Sequence, residues 1–403
     1  MRNLNIVFFD AGGGHRNAAD ALQSALQAQS NPWAVSLLNL QELLDQIDPI
    51  HRATGTRMQD VYNLILRRGW TRFTPQLLPV LQGLVRLNHG RVVRVLQRYW
   101  AEHPSDLVLS VIPHFNRTIA ESVRKSLPAS PFVTMLTDFA DYPPHFWIER
   151  ESEYLICGTE RAKQQALAMG HSPLRVFQTS GMVMKSKFYQ KPAIDRVAEW
   201  KRLGLAPDCP TGIVLFGGHG APVMLDIAKK LSESSLKLQL IMICGHNQNL
   251  GAELKKLPTR KPIFVEGFTT QVDHYMALAD FFIGKPGPGS ISEALQFDLP
   301  VIVESNAKTM PQERYNAEWL TENRLGIVLP SFRGIAGAVE HLLQPSRFQE
   351  LRDNARAHTN RALFEIPVIL EEVFERHVPE YMPVAPMGNV DLIGRDAMLA
   401  GSH

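Results

Sequence analysis

Two segments of this chain share one pattern. Near the N-terminus the apolar run Ile6–Phe9 leads into Ala11-Gly12-Gly13-Gly14-His15, and Asn17–Ala28 follows with the Ala, Leu and Gln content of a helix. About 200 residues later, Gly212-Ile213-Val214-Leu215-Phe216 leads into Gly217-Gly218-His219-Gly220, followed by the helical pattern Val223–Leu231. A buried strand, a glycine turn and a helix open a Rossmann-type half. Two such openings predict two Rossmann-like domains, each built on a parallel sheet.

The remaining apolar runs fit that plan. In the first half they are Val35–Leu38, Leu107–Ile112, Phe132–Leu136, Tyr154–Cys157 and Arg175–Gln178. In the second half they are Leu238–Cys244, Ile263–Glu266, Phe281–Ile283, Val301–Val303 and Gly326–Val328. Short buried strands alternating with helical patterns imply parallel pairing. The fold class expected is α/β, with two domains facing each other across a cleft. The division runs 1–190 and 191–378, with the last helix free to pack back on the first domain and a loose tail at 379–403. With 403 residues the chain is long enough for two cores, and 45% hydrophobic against 20% charged residues is a normal globular balance. Three scattered cysteines suit a reducing cytoplasm, and no apolar run reaches the ~20 residues of a membrane span.

Net charge is only +2, which gives no general reason to expect nucleic acid. The charge is uneven, however: +5 over residues 1–199 and −3 over the rest. From Val61 to Ala101 there is no acid but seven arginines: Arg67, Arg68, Arg72, Arg86, Arg91, Arg94 and Arg98. Trp70, Phe73, Tyr99 and Trp100 lie among them. One reading is a basic, aromatic surface for anionic lipid headgroups. The other is a set of solvated arginine faces with the aromatics in the core.

In open α/β sheets, ligands bind beyond the carboxyl ends of the strands. The loops ending in Gly14, Asp138, Gly217, Gly245, Gly267 and Gly289 are therefore expected to line the cleft. The most specific of them is Gly284-Lys285-Pro286-Gly287-Pro288-Gly289-Ser290-Ile291-Ser292-Glu293. A strand feeds a glycine turn that starts a helix, where backbone N–H groups and the helix dipole attract phosphate. Ser290 and Glu293 also have capping-box spacing, which needs no ligand. Gly217–Gly220 offers a second helix start for phosphate, or simply a tight turn. His15 at a helix start is disfavoured as a cation by the dipole, so it reads as a general base or as a loop histidine that satisfies backbone groups. Asp138 reads as an orienting carboxylate or a cap. No Asp-x-Asp metal–diphosphate grip, Gly-x-Ser-x-Gly elbow or His-x-x-x-His zinc pair occurs in the chain.

These residues, in this order, resemble the monogalactosyldiacylglycerol synthase group of glycosyltransferases, relatives of the transferase that forms peptidoglycan lipid II. The likeness runs through Ala11-Gly12-Gly13-Gly14-His15-Arg16, Thr137-Asp138, His145-Phe146-Trp147, Gly181-Met182-Val183 and Cys244-Gly245-His246-Asn247. It continues through Glu266-Gly267-Phe268, Lys285–Ala294, and Pro311-Gln312-Glu313 with Asn316. It implies a GT-B fold and inverting, metal-independent transfer of a hexose from a UDP-sugar, with no cofactor. The second domain would hold the donor through Gly218, His219, Gly245, Asn247, Gly267, Phe268, Lys285, Gly287, Pro288, Gly289, Ser290, Glu293, Gln312 and Glu313, with Gly14 reaching it from the first. Within that set Phe268 would meet the uracil, Glu293 the ribose, the glycine turns the diphosphate, and Gln312 with Glu313 the sugar.

The first domain would present His15 as base and Asp138 beside it to a lipid acceptor such as diacylglycerol. Arg67, Arg68, Trp70, Arg72 and Phe73 would face an anionic membrane from the cytoplasm. The chain departs from the group at His246, where Arg is expected, at Ala221-Pro222 after the second glycine loop, and at Met182-Val183, which lacks a proline. Alternative readings are a polyprenyl-linked or soluble acceptor, a UDP-sugar epimerase, and a nucleotide-sugar-binding regulator.

Overall fold

The structure is a computed structural model that describes residues 2–10, 13–29, 33–45, 74–142, 145–151, 153–307 and 309–377. Within the helix Thr74–Glu102 it describes the side chains at 83 and from 85 onward. Gly12, Arg67, Arg68, Trp70, Arg72, Phe73 and the tail 379–403 lie outside the described residues.

Two six-stranded sheets, parallel throughout, carry the fold. The first runs in the order β2 (Ala34–Asn39), β1 (Asn3–Phe8), β3 (Leu107–Ser110), β4 (Phe132–Met135), β5 (Tyr154–Cys157), β6 (Val176–Gln178). The second runs β12 (Gly326–Leu329), β11 (Val301–Glu304), β10 (Phe281–Gly284), β7 (Thr211–Leu215), β8 (Gln239–Ile243), β9 (Ile263–Glu266). Every apolar run read as a strand is one, within two residues at its ends apart from Ile6–Phe9, whose strand starts three residues earlier at Asn3. The central strands are buried on both faces, as with Val108, Leu109, Phe132, Val133, Ile213, Val214 and Ile241. Burial on both faces is why they read as continuous apolar runs rather than alternating ones.

Each sheet reverses its winding at one place. In the first, the chain leaves β1 towards β2 and later leaves β3 the other way, so the switch lies between β1 and β3. In the second it lies between β7 and β10. Loops part at such a point and leave a crevice beyond the strand ends.

The two halves are tied together at the end of the chain. The helix Ala362–Arg376 buries Ile366, Leu370 and Val373 in the core of the first sheet. Glu371 accepts a hydrogen bond from the Trp33 indole at 2.6 Å and pairs with Arg2. Where the chain crosses over, Asn360 donates to the Met182 carbonyl at 2.8 Å.

The described part of the arginine-rich segment lies in the helix Thr74–Glu102. Val92, Leu96 and Trp100 face the core, and Trp100 donates to Ser122 Oγ at 2.9 Å. Arg86, Leu87, Arg91, Arg94 and Arg98 are exposed. Trp100 is thus a core residue and not part of a surface shared with the arginines. Neighbours in sequence, they stand on opposite faces because the helical period is 3.6 residues.

Candidate active site

The first switch point gathers histidines. Gly13 precedes the helix Gly14–Gln27 with φ +80°, in the left-handed region that glycine adopts without steric cost. It delivers His15 as the second helical residue, half-buried, with Nδ1 3.1 Å from Thr137 Oγ1 at the end of β4. The ring lies 5.8 Å from that of Trp147, tilted by 58°. Burial lowers the His15 pKa to about 4, partly opposed by a backbone hydrogen bond at Val111. The direction agrees with the sequence reading, but the leading cause is desolvation rather than the helix dipole. At neutral pH the imidazole is uncharged and able to accept a proton.

A second histidine enters from the neighbouring loop. His114 follows β3 with φ +68°, a strained conformation for a residue with a side chain. Its N–H donates to the Phe146 carbonyl at 2.6 Å, and its ring packs 4.0 Å from that of Phe146. Its pKa is also lowered to about 4, first by burial and then by the charge of His15. Sequence reasoning missed this residue. Its signal was a Pro-His pair directly after an apolar strand, and it becomes informative only once β3 is known to lie beside β1.

Asp138 caps no helix. Its Oδ2 accepts the Trp147 indole N–H at 2.9 Å, so it fixes the ring that packs against His15. Burial raises its pKa to about 7. The Trp147 hydrogen bond opposes this, Glu313 adds to it and Lys285 subtracts from it. Those last two residues belong to the other sheet, so the carboxyl looks across the cleft. Phe139, next in sequence, lies 4.6 Å from the Trp319 ring and joins the core of the second half.

The second switch point gathers glycines and the ammonium of Lys285. Gly245 has φ +58°, and a Cβ there would lie 2.2 Å from the Gly218 carbonyl oxygen. The loops after β7 and β8 therefore touch backbone to backbone, and His246 N–H donates to Gly218 C=O at 2.9 Å. The His246 ring stacks on Phe268 at 4.1 Å and 15°, with His219 at 5.8 Å from His246. A cavity of about 380 Å³ lies here, lined by Cys244–Gln248 and Val265–Phe268 among others. The Asn247 side chain is engaged in capping: its Oδ1 accepts Leu250 N–H at 3.0 Å and starts a helix.

The helix after β10 starts one turn earlier than a capping box at Ser290 requires. Gly287 is the N-cap, Pro288 the first helical residue, and Ser290 Oγ donates to the Gly287 carbonyl at 3.2 Å. Proline at the first helical position is pre-shaped for the turn, which is what moves the start. The first intrahelical bond runs from Ile291 N–H to Gly287 C=O, leaving the N–H groups of Gly289 and Ser290 ahead of it. Beside them Lys285 Nζ lies 2.7 Å from Glu313 Oε1, and that carboxylate holds the lysine pKa up. Gln312 Oε1 is buried without a hydrogen-bond partner among the described residues. Burial raises Glu293 to about 7, with Lys187 and Lys185 opposing. Among the described residues no three His, Cys, Asp or Glu form a group that could hold a metal ion.

Comparison with known proteins places this geometry. Residues 212–372 match the glycosyltransferase family 28 C-terminal domain. The chain is 26% identical over 414 residues to a probable chloroplastic monogalactosyldiacylglycerol synthase of Glycine max, covering 94% of this chain and 73% of the relative. It is 24% identical over 394 residues to the chloroplastic monogalactosyldiacylglycerol synthase of Spinacia oleracea, with the same coverage of both. Among solved structures it resembles MurG of Acinetobacter baumannii, with TM-score 0.62 at 14% identity, covering 92% of this chain and all of that one. It also resembles a putative UDP-N-acetylglucosamine 2-epimerase of Listeria monocytogenes, with TM-score 0.60 at 14% identity over 95% of this chain and all of that one. Fold and family 28 domain together define a GT-B glycosyltransferase of the hexosyl-transferring kind. Within that class, the chain is a homologue of the monogalactosyldiacylglycerol synthases over most of its length.

Proposed function

We propose that this protein transfers a hexose from a UDP-hexose to the free hydroxyl of diacylglycerol, with inversion and without a metal. The observation that carries the reading is the facing of two switch points. Neutral His15 stands at one, and the N–H groups of Gly289 and Ser290 with Lys285 stand at the other. The electrostatic coupling of Asp138 to Glu313 and Lys285 spans them.

In the reaction, His15 takes the acceptor's hydroxyl proton as that oxygen attacks the anomeric carbon. The bond from that carbon to the diphosphate breaks, and UDP leaves with the electron pair. The growing charge on the diphosphate falls on backbone N–H groups and Lys285, which are already oriented before the reaction starts. Trp147, held by Asp138, fixes the face of His15. Phe268 and His246 offer an aromatic surface to the base, Glu293 a carboxyl to the ribose, and Gln312 Oε1 an unused acceptor to a sugar hydroxyl.

The test is UDP release from UDP-galactose with diacylglycerol in vesicles, repeated in EDTA. Release that requires diacylglycerol and survives EDTA supports the reading. Release only with a polyprenyl-linked or soluble acceptor sinks the lipid assignment, epimerised sugar without acceptor makes the protein an epimerase, and binding without turnover makes it a regulator.

We further infer that it works as a peripheral protein from the cytoplasmic face. No helix among the described residues is long and apolar enough to cross a membrane. The exposed stripe Arg86, Arg91, Arg94 and Arg98 supports contact with anionic headgroups, each basic residue near such a surface contributing about 1 kcal/mol. Changing the four to Gln is expected to weaken sedimentation with anionic vesicles at low salt. Binding that ignores both the substitutions and salt would overturn the electrostatic contact.

A further inference from the structure

Lys285 has two claimants. Its ammonium pairs with Glu313, whose side chain is only 11% exposed, while the lysine itself is 44% exposed. Its stem runs between the two glycine loops of the second switch point. A Cβ built on Gly217 would lie 3.9 Å from Lys285 Cε, and one on Gly287 would lie 3.4 Å from Lys285 Cε and 3.8 Å from Glu313 Oε1. The same ammonium is therefore within a side-chain rotation of the N–H groups of Gly289 and Ser290, where the proposed function seats the diphosphate. Glu313 in turn follows Gln312, whose Oε1 is buried and without a partner among the described residues.

We propose that Lys285 is exchanged during donor binding: the diphosphate draws the ammonium off Glu313, and the released carboxylate, with Gln312, takes hydroxyl groups of the hexose. Diphosphate recognition thereby switches on sugar recognition. A nucleoside diphosphate without its sugar breaks the Lys285–Glu313 pair and regains nothing at the carboxylate. A nucleotide-sugar breaks the same pair and recovers the loss through the hexose hydroxyls. The exchange therefore favours the donor over the spent product and helps UDP to leave once the sugar is gone. A lysine suits this role because its charge sits on a flexible stem and makes no fixed fork with its partner.

This inference rests on the proposed donor site, and UDP binding by the wild type tests that site separately. Calorimetry with UDP and with UDP-galactose on the wild type, Glu313→Gln and Lys285→Met makes the distinction. The exchange predicts that Glu313→Gln binds UDP more tightly, by roughly three- to tenfold, because the lysine no longer has a charged competitor. UDP-galactose should not share that gain, so its advantage over UDP shrinks. Lys285→Met should bind UDP at least about tenfold more weakly, and adding Glu313→Gln to it should change UDP affinity no further. UDP affinity unchanged or weakened in Glu313→Gln, with wild-type binding intact, overturns the exchange alone. If Glu313→Gln does not fold, an unchanged UDP affinity in Lys285→Met overturns it. A wild type that does not bind UDP overturns both this inference and the donor site.

Discussion

The two switch points share a topology and differ in what they do with charge. At the first, His15, His114, Trp147 and Asp138 crowd together, and burial is the leading cause at each titratable one. It takes the histidines down to about 4 and the aspartate up to about 7. All three are pushed towards their uncharged forms. At the second, a glycine-rich backbone presents N–H groups, and beside them the Lys285 ammonium is held in its charged form by Glu313. In the proposed reaction the first is the place that moves a proton and the second the place that holds the leaving anion. The same βαβ architecture served both because the crevice belongs to the strand order, while the chemistry belongs to the loop residues.

The strongest test of that division is His15→Ala. Positioned proton transfer contributes about 10²–10⁴-fold. The turnover number is expected to fall by that amount while the Kd for UDP stays within about twofold of wild type. In the wild type the acid limb of kcat/KM should lie near 4, well below an ordinary histidine, because burial keeps the imidazole neutral. A variant with near-normal turnover would remove His15 from the proton-transfer role. A large loss of UDP affinity would show that the two points do not divide the work as described.

The donor point is broken through its backbone. Gly245→Ala puts a methyl 2.2 Å from the Gly218 carbonyl oxygen at a φ of +58°, so the loop must move. Strain of this kind costs about 1–3 kcal/mol. The expected outcome is a tenfold or larger rise in the Kd for UDP, estimated as about 1.4 kcal/mol per factor of ten. The His15 side should be untouched, as read by unchanged hydrogen-exchange protection in β1 and β3. Wild-type UDP affinity in this variant would mean the loop contact has no part in the donor site.

How much of this was written in the sequence depends on the length scale of the cause. Strands buried on both faces must be continuous apolar runs, so β7, β8, β10 and β11 could be read directly from residue types. The paired glycine loops were legible for the same local reason. The capping-box spacing at Ser290 does not set the helix start after β10, because two local signals compete there and the Gly287-Pro288 geometry wins. The role of His114 and the Lys285–Glu313 pair were not legible from local pattern. The first depends on β3 lying beside β1 and the second on two loops 28 residues apart meeting. Strand order and loop contact leave no period in a sequence. The expected cause of the His15 shift failed in the same way, since a dipole can be read from a helix start but burial needs the neighbouring loops.

The finest probe of the comparison is the group that looks across it. Asp138 belongs to the proton-handling side, yet Glu313 and Lys285 of the donor side both act on it. Its pKa is raised from the usual carboxylate range to about 7, so it is mostly the neutral acid below that pH and the carboxylate above it. A bound diphosphate adds negative charge nearby and so favours the neutral form. By linkage, the neutral form must then bind the diphosphate better. UDP-galactose affinity is therefore expected to fall by a few-fold as pH rises from about 6 to about 8, with proton uptake on binding near neutrality. The diphosphate diester does not titrate in that range, and His15 and His114, both lowered to about 4, stay uncharged throughout; Glu293, which burial also raises to about 7, does titrate there and is therefore replaced by Gln in every protein compared. Asp138→Asn should flatten the pH dependence and hold the affinity near the low-pH value of the wild type, while weakening the grip on the Trp147 indole. Calorimetry in two buffers of different ionisation enthalpy reads both the affinity and the proton count. A slope that persists in Asp138→Asn, or an affinity that climbs with pH, would show that the carboxyl does not couple the two points.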